Sequence, residues 1–432
     1  MASRIVLVGA GSAMFGLGAV GDILKSKHLQ GSTIVLNDIN PEAVKFVADV
    51  AQNYIKDNSL PFTVEATVNL DEALVGAQFV VISIEVGDRH TLWEQDWKIP
   101  LQYGFKQVYG ENGGPGGLFH AMRIIPPILD ICDKINRITP DAQVINLSNP
   151  MVRIMHAINT KFPKLKCTGI CHEVVSLVEH LPIMLNTPIE NLDLKAGGFN
   201  HFSILVEAKY KDTCKDAYPD IREKAPAYFT KAPSTFGYVG ERKLFQEILK
   251  RFDYLPITTD SHFGEYIQWA QSAVDHRGIM EFYNSYKSEM SSNRDDALGR
   301  VAKGTPVEEY WRVVPIIEGI ITNDGHFEMS VNIPNDGFIK DLPQNQPVEV
   351  PATIDKDGVH GIGFDHYPKG FAGLLRLQVA VNDLTTEAIL TKSKKVALQA
   401  LLVDPVVDNV HAAEEMLDTM ISLQPKWLGY LQ

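Results

Sequence analysis

Arg4-Ile5-Val6-Leu7-Val8-Gly9-Ala10-Gly11-Ser12-Ala13-Met14-Phe15-Gly16, followed by Leu17, Val20, Ile23 and Leu24 at helical spacing, reads as strand, tight glycine turn and helix. Such a run is the opening of a dinucleotide-binding unit, because the amides at the helix N-terminus are free to hold a pyrophosphate. Met14 stands where the usual fingerprint has its third glycine, the one that allows close helix-to-strand packing. The phosphate-binding logic of Gly9 and Gly11 does not depend on it. A second strand, Thr33 to Leu36, ends in Asn37-Asp38. An acidic side chain there takes ribose hydroxyls and repels a 2′-phosphate, which favours NAD over NADP. The expected cofactor contacts are Gly9, Gly11, Ser12, Met14, Phe15 and Asp38, with Ser83 at the end of the next buried strand, Phe79 to Ile84. The plain structural alternative is a tight βα turn of any α/β protein.

That strand runs into Gly87-Asp88-Arg89-His90, and Gly110-Glu111-Asn112-Gly113-Gly114-Pro115-Gly116-Gly117 follows. Five glycines in eight positions make either a flexible lid or a place where backbone comes close to a ligand. The amphipathic helix expected next, Leu118 to Ile135, offers its N-terminus to something anionic, and Pro126-Pro127 is expected to kink or restart it. Val144-Ile145-Asn146-Leu147 reads as another buried parallel strand, stopped at Ser148-Asn149-Pro150, and the carboxyl ends of such strands are where ligands sit. A helix from Val152 to Thr160 and a strand around Lys166 to Ile170 then deliver Cys171 and His172.

After this the character changes. Leu192 to Ala196 and Phe202 to Ala208 read as a hairpin through Gly197-Gly198-Phe199-Asn200, with His201 where its second strand starts. Residues 225–300 are mostly polar and helical, 330–363 alternate strands and turns, and Phe371 to Leu402 reads as one long amphipathic helix. The fold class is α/β: an N-terminal Rossmann-like parallel sheet over residues 1–190, and a mixed α+β unit for substrate, metal and oligomerisation over 191–432.

Neighbouring strand residues point to opposite faces, so only one of Cys171 and His172 easily shares a site with His201. Cys171 with His201 is the expected metal pair, leaving His172 as an acid or base. Two protein ligands leave positions open for substrate oxygens, and ligand softness alone points to zinc or iron. The structural alternatives are a small core thiol and satisfied imidazoles. In Asp260-Ser261-His262-Phe263-Gly264-Glu265-Tyr266 the approach from Pro256 through two threonines suggests a loop entering a helix. Asp260 therefore has a structural reading as a helix cap beside any functional one.

The chain has 432 residues, 40 Lys and Arg against 53 Asp and Glu, and a net charge of −13. That balance gives no reason to expect nucleic acid or an anionic membrane as partner, and favours a small-molecule ligand. Four cysteines without a CxxC pair do not make a disulfide framework. With no signal-like segment and no apolar run of the ~20 residues needed to span a bilayer, a reducing cytoplasm is the expected setting.

Taken together, Gly9 to Ser12, Gly114 to Gly117 with Arg123, Asn146 to Pro150, Gly169 to His172, Gly198 to Phe202, and Val348-Glu349-Val350-Pro351 with Gly358 resemble the NAD- and metal-dependent glycosidases of glycoside hydrolase family 4. The resemblance covers nearly the whole chain. It implies that Cys171 and His201 bind a divalent ion, usually Mn2+, and that Asn149 holds sugar hydroxyls. It also implies cleavage by oxidation at sugar C3, loss of the C2 proton, elimination of the aglycone, water addition and re-reduction, with no need for a carboxylate pair. His172 is then the acid, and Asp260 or Tyr266 the base. The Cys-His pair leans towards an unphosphorylated α-glucoside, α-galactoside or α-hexuronide, with Arg89 available to a carboxylate. His120 stands where relatives acting on such sugars often carry arginine, and joins Arg89 and Asn149 as a substrate-side residue. A homodimer or homotetramer is implied as well. Two other readings are a malate- or lactate-like 2-hydroxyacid dehydrogenase, which lacks its Gly-x-His-Gly-Asp context here, and an NAD-sensing assembly protein, which leaves Cys171 and His201 unexplained.

Overall fold

A computed structural model describes residues 2–12, 15–231, 242–292, 296–304 and 313–432. Met14, one of the expected cofactor contacts, lies outside the described residues. Six strands pair in parallel in the order β3-β2-β1-β4-β5-β6: β1 Arg4–Val8, β2 Thr33–Asn37, β3 Thr63–Thr67, β4 Phe79–Ile82, β5 Gln143–Asn146 and β6 Cys167–Gly169. This is the doubly wound order, and it reverses between β1 and β4, where a crevice opens over the strand ends.

The sheet does not stop at β6. Its next neighbour is β10, His326–Pro334, antiparallel to it through the pair Asn332 and Gly169. The sheet then continues through β11, Pro347–Asp355, to the hairpin β7, Leu192–Phe199, and β8, Phe202–Tyr210. It ends at β9, Leu255–Pro256, while β12, Gly358–Gly361, pairs with β11 alone. β1–β6 precede residue 190 and β7–β12 follow it, within one sheet.

β1 and β4 read as continuous apolar runs because both faces are covered. Ile5, Leu7, Phe79 and Val81 join one buried cluster, and Val6, Val8, Val80 and Ile82 the other. The second cluster is closed by helices from the far end of the chain, through Ala388, Leu401, Met416 and Leu428. No helix among the described residues is long and apolar enough to cross a membrane.

Three local expectations change. The glycine-loop helix runs from Gly114 to Ile138 through Pro126 and Pro127 as one element. Pro126 cannot donate to the carbonyl of Met122, and the hydroxyl of Tyr430 donates to that oxygen instead, at 2.9 Å. The helix expected over Phe371 to Leu402 is two, Lys369–Thr391 and Lys394–Leu402, parted where Lys392 turns left-handed and Ser393 caps the second. The hairpin strand β7 continues through both glycines, so that the turn is Asn200-His201.

The glycine loop is packed rather than open, which sets aside the lid reading. A side chain at Gly117 would sit 2.3 Å from the carbonyl of Asn112. Gly117→Ala is expected to destabilise the protein by roughly 1–3 kcal/mol, as overpacking against fixed backbone does. A denaturant titration with unchanged midpoint would overturn that packing account.

Candidate active site

The ends of β1, β4, β5 and β6 open into one cavity of about 960 Å3, lined at one end by Gly9, Ser12, Phe15, Asp38 and Ser83, and at the other by Asn149, Cys171, His172 and His201. The chain after β1 is shaped by its own contacts. Ser12 caps the helix Phe15–Lys25 by accepting from the Phe15 amide, and the amide of Gly11 donates to Asp38 at 2.8 Å. Gly11 is thereby tied to the wall without lining it. The close helix-to-strand approach that the fingerprint assigns to its third glycine occurs at Gly16, where a Cβ would lie 2.1 Å from the carbonyl of Ala10. The exposed Ile39, with Val68 and Leu70, adds an apolar wall beside Asp38.

At the far end the ends of β4 and β5 are locked together. Ser148 donates to the carbonyl of Ile84 and accepts from its amide, while Asn146 donates to the carbonyl of Ser148. Asn149 follows directly and lines the cavity, its Oδ1 accepting from the Met151 amide at 3.2 Å.

Cys171 and His201 are both 3% exposed, and Sγ lies 3.4 Å from Nε2. Metal bonds of about 2.3 Å to sulfur and about 2.1 Å to nitrogen place two donors on one ion roughly 3.1–3.6 Å apart. The pair therefore fits one cation. Burial pushes the thiol of Cys171 up, with Glu173 and Glu349 adding to it, and holds the imidazole of His201 neutral. A neutral imidazole is the form that ligates, and a thiol needs a cation to ionise in such surroundings. Among the described residues no three His, Cys, Asp or Glu side chains already stand as a finished ligand set.

His201 has a φ of 132°, a conformation that L residues rarely adopt. The buried carboxylate of Glu349 holds its turn, accepting from Asn200 at 3.3 Å, Ser203 at 2.7 Å and Ser330 at 2.6 Å.

The wall facing this pair contains residues that sequence reasoning did not select. His262 donates from Nε2 to Glu111 at 3.0 Å, hydrogen-bonds Thr259 through Nδ1 at 2.9 Å, and sits edge-on to His201 with centroids 4.8 Å apart. Glu111 also takes a 2.5 Å ion pair from Arg89. Burial would raise Glu111, but Arg89 and His262 outweigh it and hold the carboxyl well below the usual range. Arg89 further stacks over Trp93 and Tyr286 and lies 3.8 Å from Glu85. His120 does not reach the cavity. It is buried behind Glu85, with Nε2 at 3.4 Å from that carboxylate and Nδ1 on the carbonyl of Glu111.

Neither side chain chosen from the sequence as base lines the cavity. Asp260 is 1% exposed and accepts from the amides of Leu244 and Phe245, so it caps a neighbouring helix, Lys243–Phe252. Tyr266 stacks on Phe202 and faces a separate small chamber beside Arg153. The segment is at the site, but through Thr258, Thr259 and His262.

What docks that segment is Glu265. Its fully buried carboxylate accepts from the amides of Glu111 at 2.5 Å and of Asn112 and Gly113 at 2.9 Å, just ahead of the helix Gly114–Ile138. The acidic group that meets this helix N-terminus is the chain's own.

The fold and site thus define an α/β protein with a Rossmann-type sheet and a buried Cys171–His201 pair at the strand ends. The model of the family 4 glycosyl hydrolases matches residues 4–187, and that of their C-terminal domain matches residues 196–407. The chain is 50% identical to an alpha-glucosidase of Erwinia rhapontici over the full length of both, and 28% identical to an alpha-galacturonidase of Thermoanaerobacter italicus over 94% of this chain and 92% of that one. A crystal structure of a 6-phospho-alpha-glucosidase from gut microorganisms, in complex with NAD and Mn2+, superposes with a TM-score of 0.82 at 21% identity, covering 99% of each chain. The chain belongs to the family 4 glycosyl hydrolases, and glycoside cleavage is the activity class that goes with that membership. The dehydrogenase reading gives way to it.

Two outcomes test the wall. Burial lifts the carboxyl of Glu265 from 4.5 to about 7, offset only in part by His262 and the loop amides. The folded state then holds a proton that the unfolded state releases near 4.5, so this group's contribution is full below 4.5 and lost as pH rises through 7, on the order of 3 kcal/mol. In Glu265→Gln that part of the pH dependence of unfolding should vanish; a slope equal to wild type between pH 5 and 7 would refute the assignment. Asp260→Asn should cost roughly 1–2 kcal/mol of stability, as loss of a helix cap does, and leave turnover of the folded fraction within a few-fold of wild type. Turnover lost without a change in melting temperature would return Asp260 to the chemistry.

Proposed function

We propose that this protein hydrolyses an uncharged α-glucoside, using NAD+ and a divalent ion of the Mn2+ type. What carries the reading is the single cavity joining the glycine turn after β1 to the Cys171–His201 pair. Gly9, Ser12, Phe15, Asp38 and Ser83 would hold a nucleotide along the first end, and Ser83, Ile84 and Ser148 line the cavity between it and the end where a sugar would sit. The relative at 50% identity supplies the sugar, and residues 1–190 and 191–432 are taken as the nucleotide unit and the substrate, metal and oligomerisation unit.

When bound, the nucleotide accepts and returns a hydride and the divalent ion polarises sugar oxygens, which together acidify a carbon-bound proton. The chain's own residues do the rest. Asn149 offers Nδ2 to a hydroxyl from a strand end fixed by Ser148. Cys171 and His201 would hold the ion. His172, on the cavity wall beside Cys171, is placed to give or take a proton at the leaving oxygen. His262 presents a second imidazole, with its Nε2 proton held towards Glu111. Trp93, Phe282 and Tyr286 make an apolar wall that excludes water.

The uncharged substrate follows from Arg89. The sequence offered this guanidinium to a sugar carboxylate, but Glu111 and Glu85, both held ionised, already outweigh it on the wall. A uronate or a 6-phosphate would meet net negative charge.

Hydrolysis of p-nitrophenyl α-glucoside under reducing conditions should therefore need both NAD+ and Mn2+ and form no net NADH, with the α-galacturonide and the 6-phosphoglucoside cleaved at least tenfold more slowly. Equal cleavage of the uronide would overturn the Arg89 argument. Stoichiometric cofactor consumption by a keto acid would overturn the glycosidase reading. Cys171→Ser should lower Mn2+ dependence and turnover together.

A further inference from the structure

Glu85, just past the end of β4, lines the cavity with 26% of its side chain exposed. Its Oε1 accepts from the Val86 amide at 2.9 Å. Oε2 has looser neighbours, Nε2 of His120 at 3.4 Å and a guanidinium nitrogen of Arg89 at 3.8 Å. Both contacts are longer than the about 2.7–2.9 Å of a charge-assisted hydrogen bond. An ionised carboxylate has room for about four donors, so Glu85 keeps acceptor capacity on an exposed side chain. The carboxylate beside it does not, because Glu111 is taken by Arg89 at 2.5 Å and by His262 at 3.0 Å, with 7% of its side chain exposed. Burial would raise the Glu85 carboxyl, but His120 and then Arg89 hold it down at about 2, so that it is an anion at neutral pH.

We propose that Glu85 is a sugar-binding residue that accepts the hydroxyl on the hydroxymethyl arm of an uncharged glucoside, and thereby selects that substrate. The inference rests on the α-glucoside reading given above and deepens it. Glu85 stands at the far end of a line of contacts that runs from His201 to His262, on to Glu111, then to Arg89. A hexose whose C2 and C3 oxygens lie towards Cys171 and His201 carries its hydroxymethyl arm across the ring from them, on the Glu85 side. A hydroxyl there has a proton to donate, and the carboxylate has lone pairs to receive it. A uronate or a 6-phosphate presents acceptor oxygens and like charge at the same point. The residue that holds the right sugar is then also the one that repels the wrong ones.

The test compares kcat/KM for p-nitrophenyl α-glucoside, its 6-deoxy analogue and the α-glucuronide, with NAD+ and Mn2+ present, in the full-length wild type, Glu85→Gln and Glu85→Ala. Wild type should cleave the 6-deoxy analogue at least about tenfold less efficiently than the glucoside, as loss of a hydrogen bond to a charged group implies. In Glu85→Ala the glucoside should fall towards the 6-deoxy analogue, to within about threefold, while the glucuronide gains at least about tenfold relative to the glucoside. Glu85→Gln, which keeps the shape and an acceptor but not the charge, should fall between. A wild type that cleaves the 6-deoxy analogue as efficiently as the glucoside, or a Glu85→Ala protein that still separates the two as wild type does, would overturn the Glu85 assignment alone. The wild-type comparison decides the matter even where a variant fails to fold. If wild type cleaves no α-glucoside, the reading beneath falls and this inference with it.

Discussion

The pairing of Gly169 with Asn332 is the constraint on which the site depends. A side chain at Gly169 would lie 2.4 Å from Met151 Sδ and 3.0 Å from the Cβ of Asn332, so only a residue without one lets β10 close against β6. Through this contact the parallel half of the sheet continues into the antiparallel half. The neighbour order β6-β10-β11-β7 then carries the chain across to the hairpin. Cys171 lies two residues past Gly169, and His201 sits in the turn after β7, whose Gly198 pairs with Glu349 of β11. Residues thirty apart in sequence meet because the sheet folds them back to one edge.

A second constraint is electrostatic and works at the rim. The loop Glu111-Asn112-Gly113 turns three amides inward, and the carboxylate of Glu265 occupies them. That contact fixes the side chain of Glu111 outward, between Arg89 and His262, and brings His262 against His201. Each carboxylate is thus placed by the one behind it. The guanidinium of Arg89, which looked available in the sequence, is engaged by Glu111 and Glu85 within the cavity wall.

The Rossmann half was legible because its signals are local: apolar runs, a glycine turn, an acidic strand end, and an Asn-Pro stop each declare themselves within a few residues. That Cys171, His201 and Asn149 come to one cavity was legible for the same reason, each standing at the end of such a run. Glu111, His262 and Glu265 were not. Their contacts join positions 151 to 154 residues apart, and no periodicity records a pairing at that distance. The segment from Asp260 to Tyr266 was recognised as functional, but which of its side chains faces the cavity depends on the helix phase. One short turn, Asp260–Phe263, followed by the tighter Gly264–Tyr266, sends His262 to the cavity and Asp260 and Tyr266 elsewhere. The glycine loop carried a signal for close approach, and what approaches is the protein's own backbone and carboxylate.

The strained turn at His201 shows how these constraints meet. A non-glycine residue at a φ of 132° costs about 1–3 kcal/mol and persists only where its surroundings over-determine it. Here Glu349 accepts hydrogen bonds from both sides of the turn, through Asn200 and Ser203, and from Ser330 on the neighbouring strand. An unstrained two-residue turn would free the hairpin to relax and swing the imidazole away from the end of β6. Holding the backbone in that conformation keeps Nε2 at 3.4 Å from the sulfur of Cys171. The strain is local and the hydrogen bonds that oppose it are buried. The pocket's geometry is therefore a property of the folded chain.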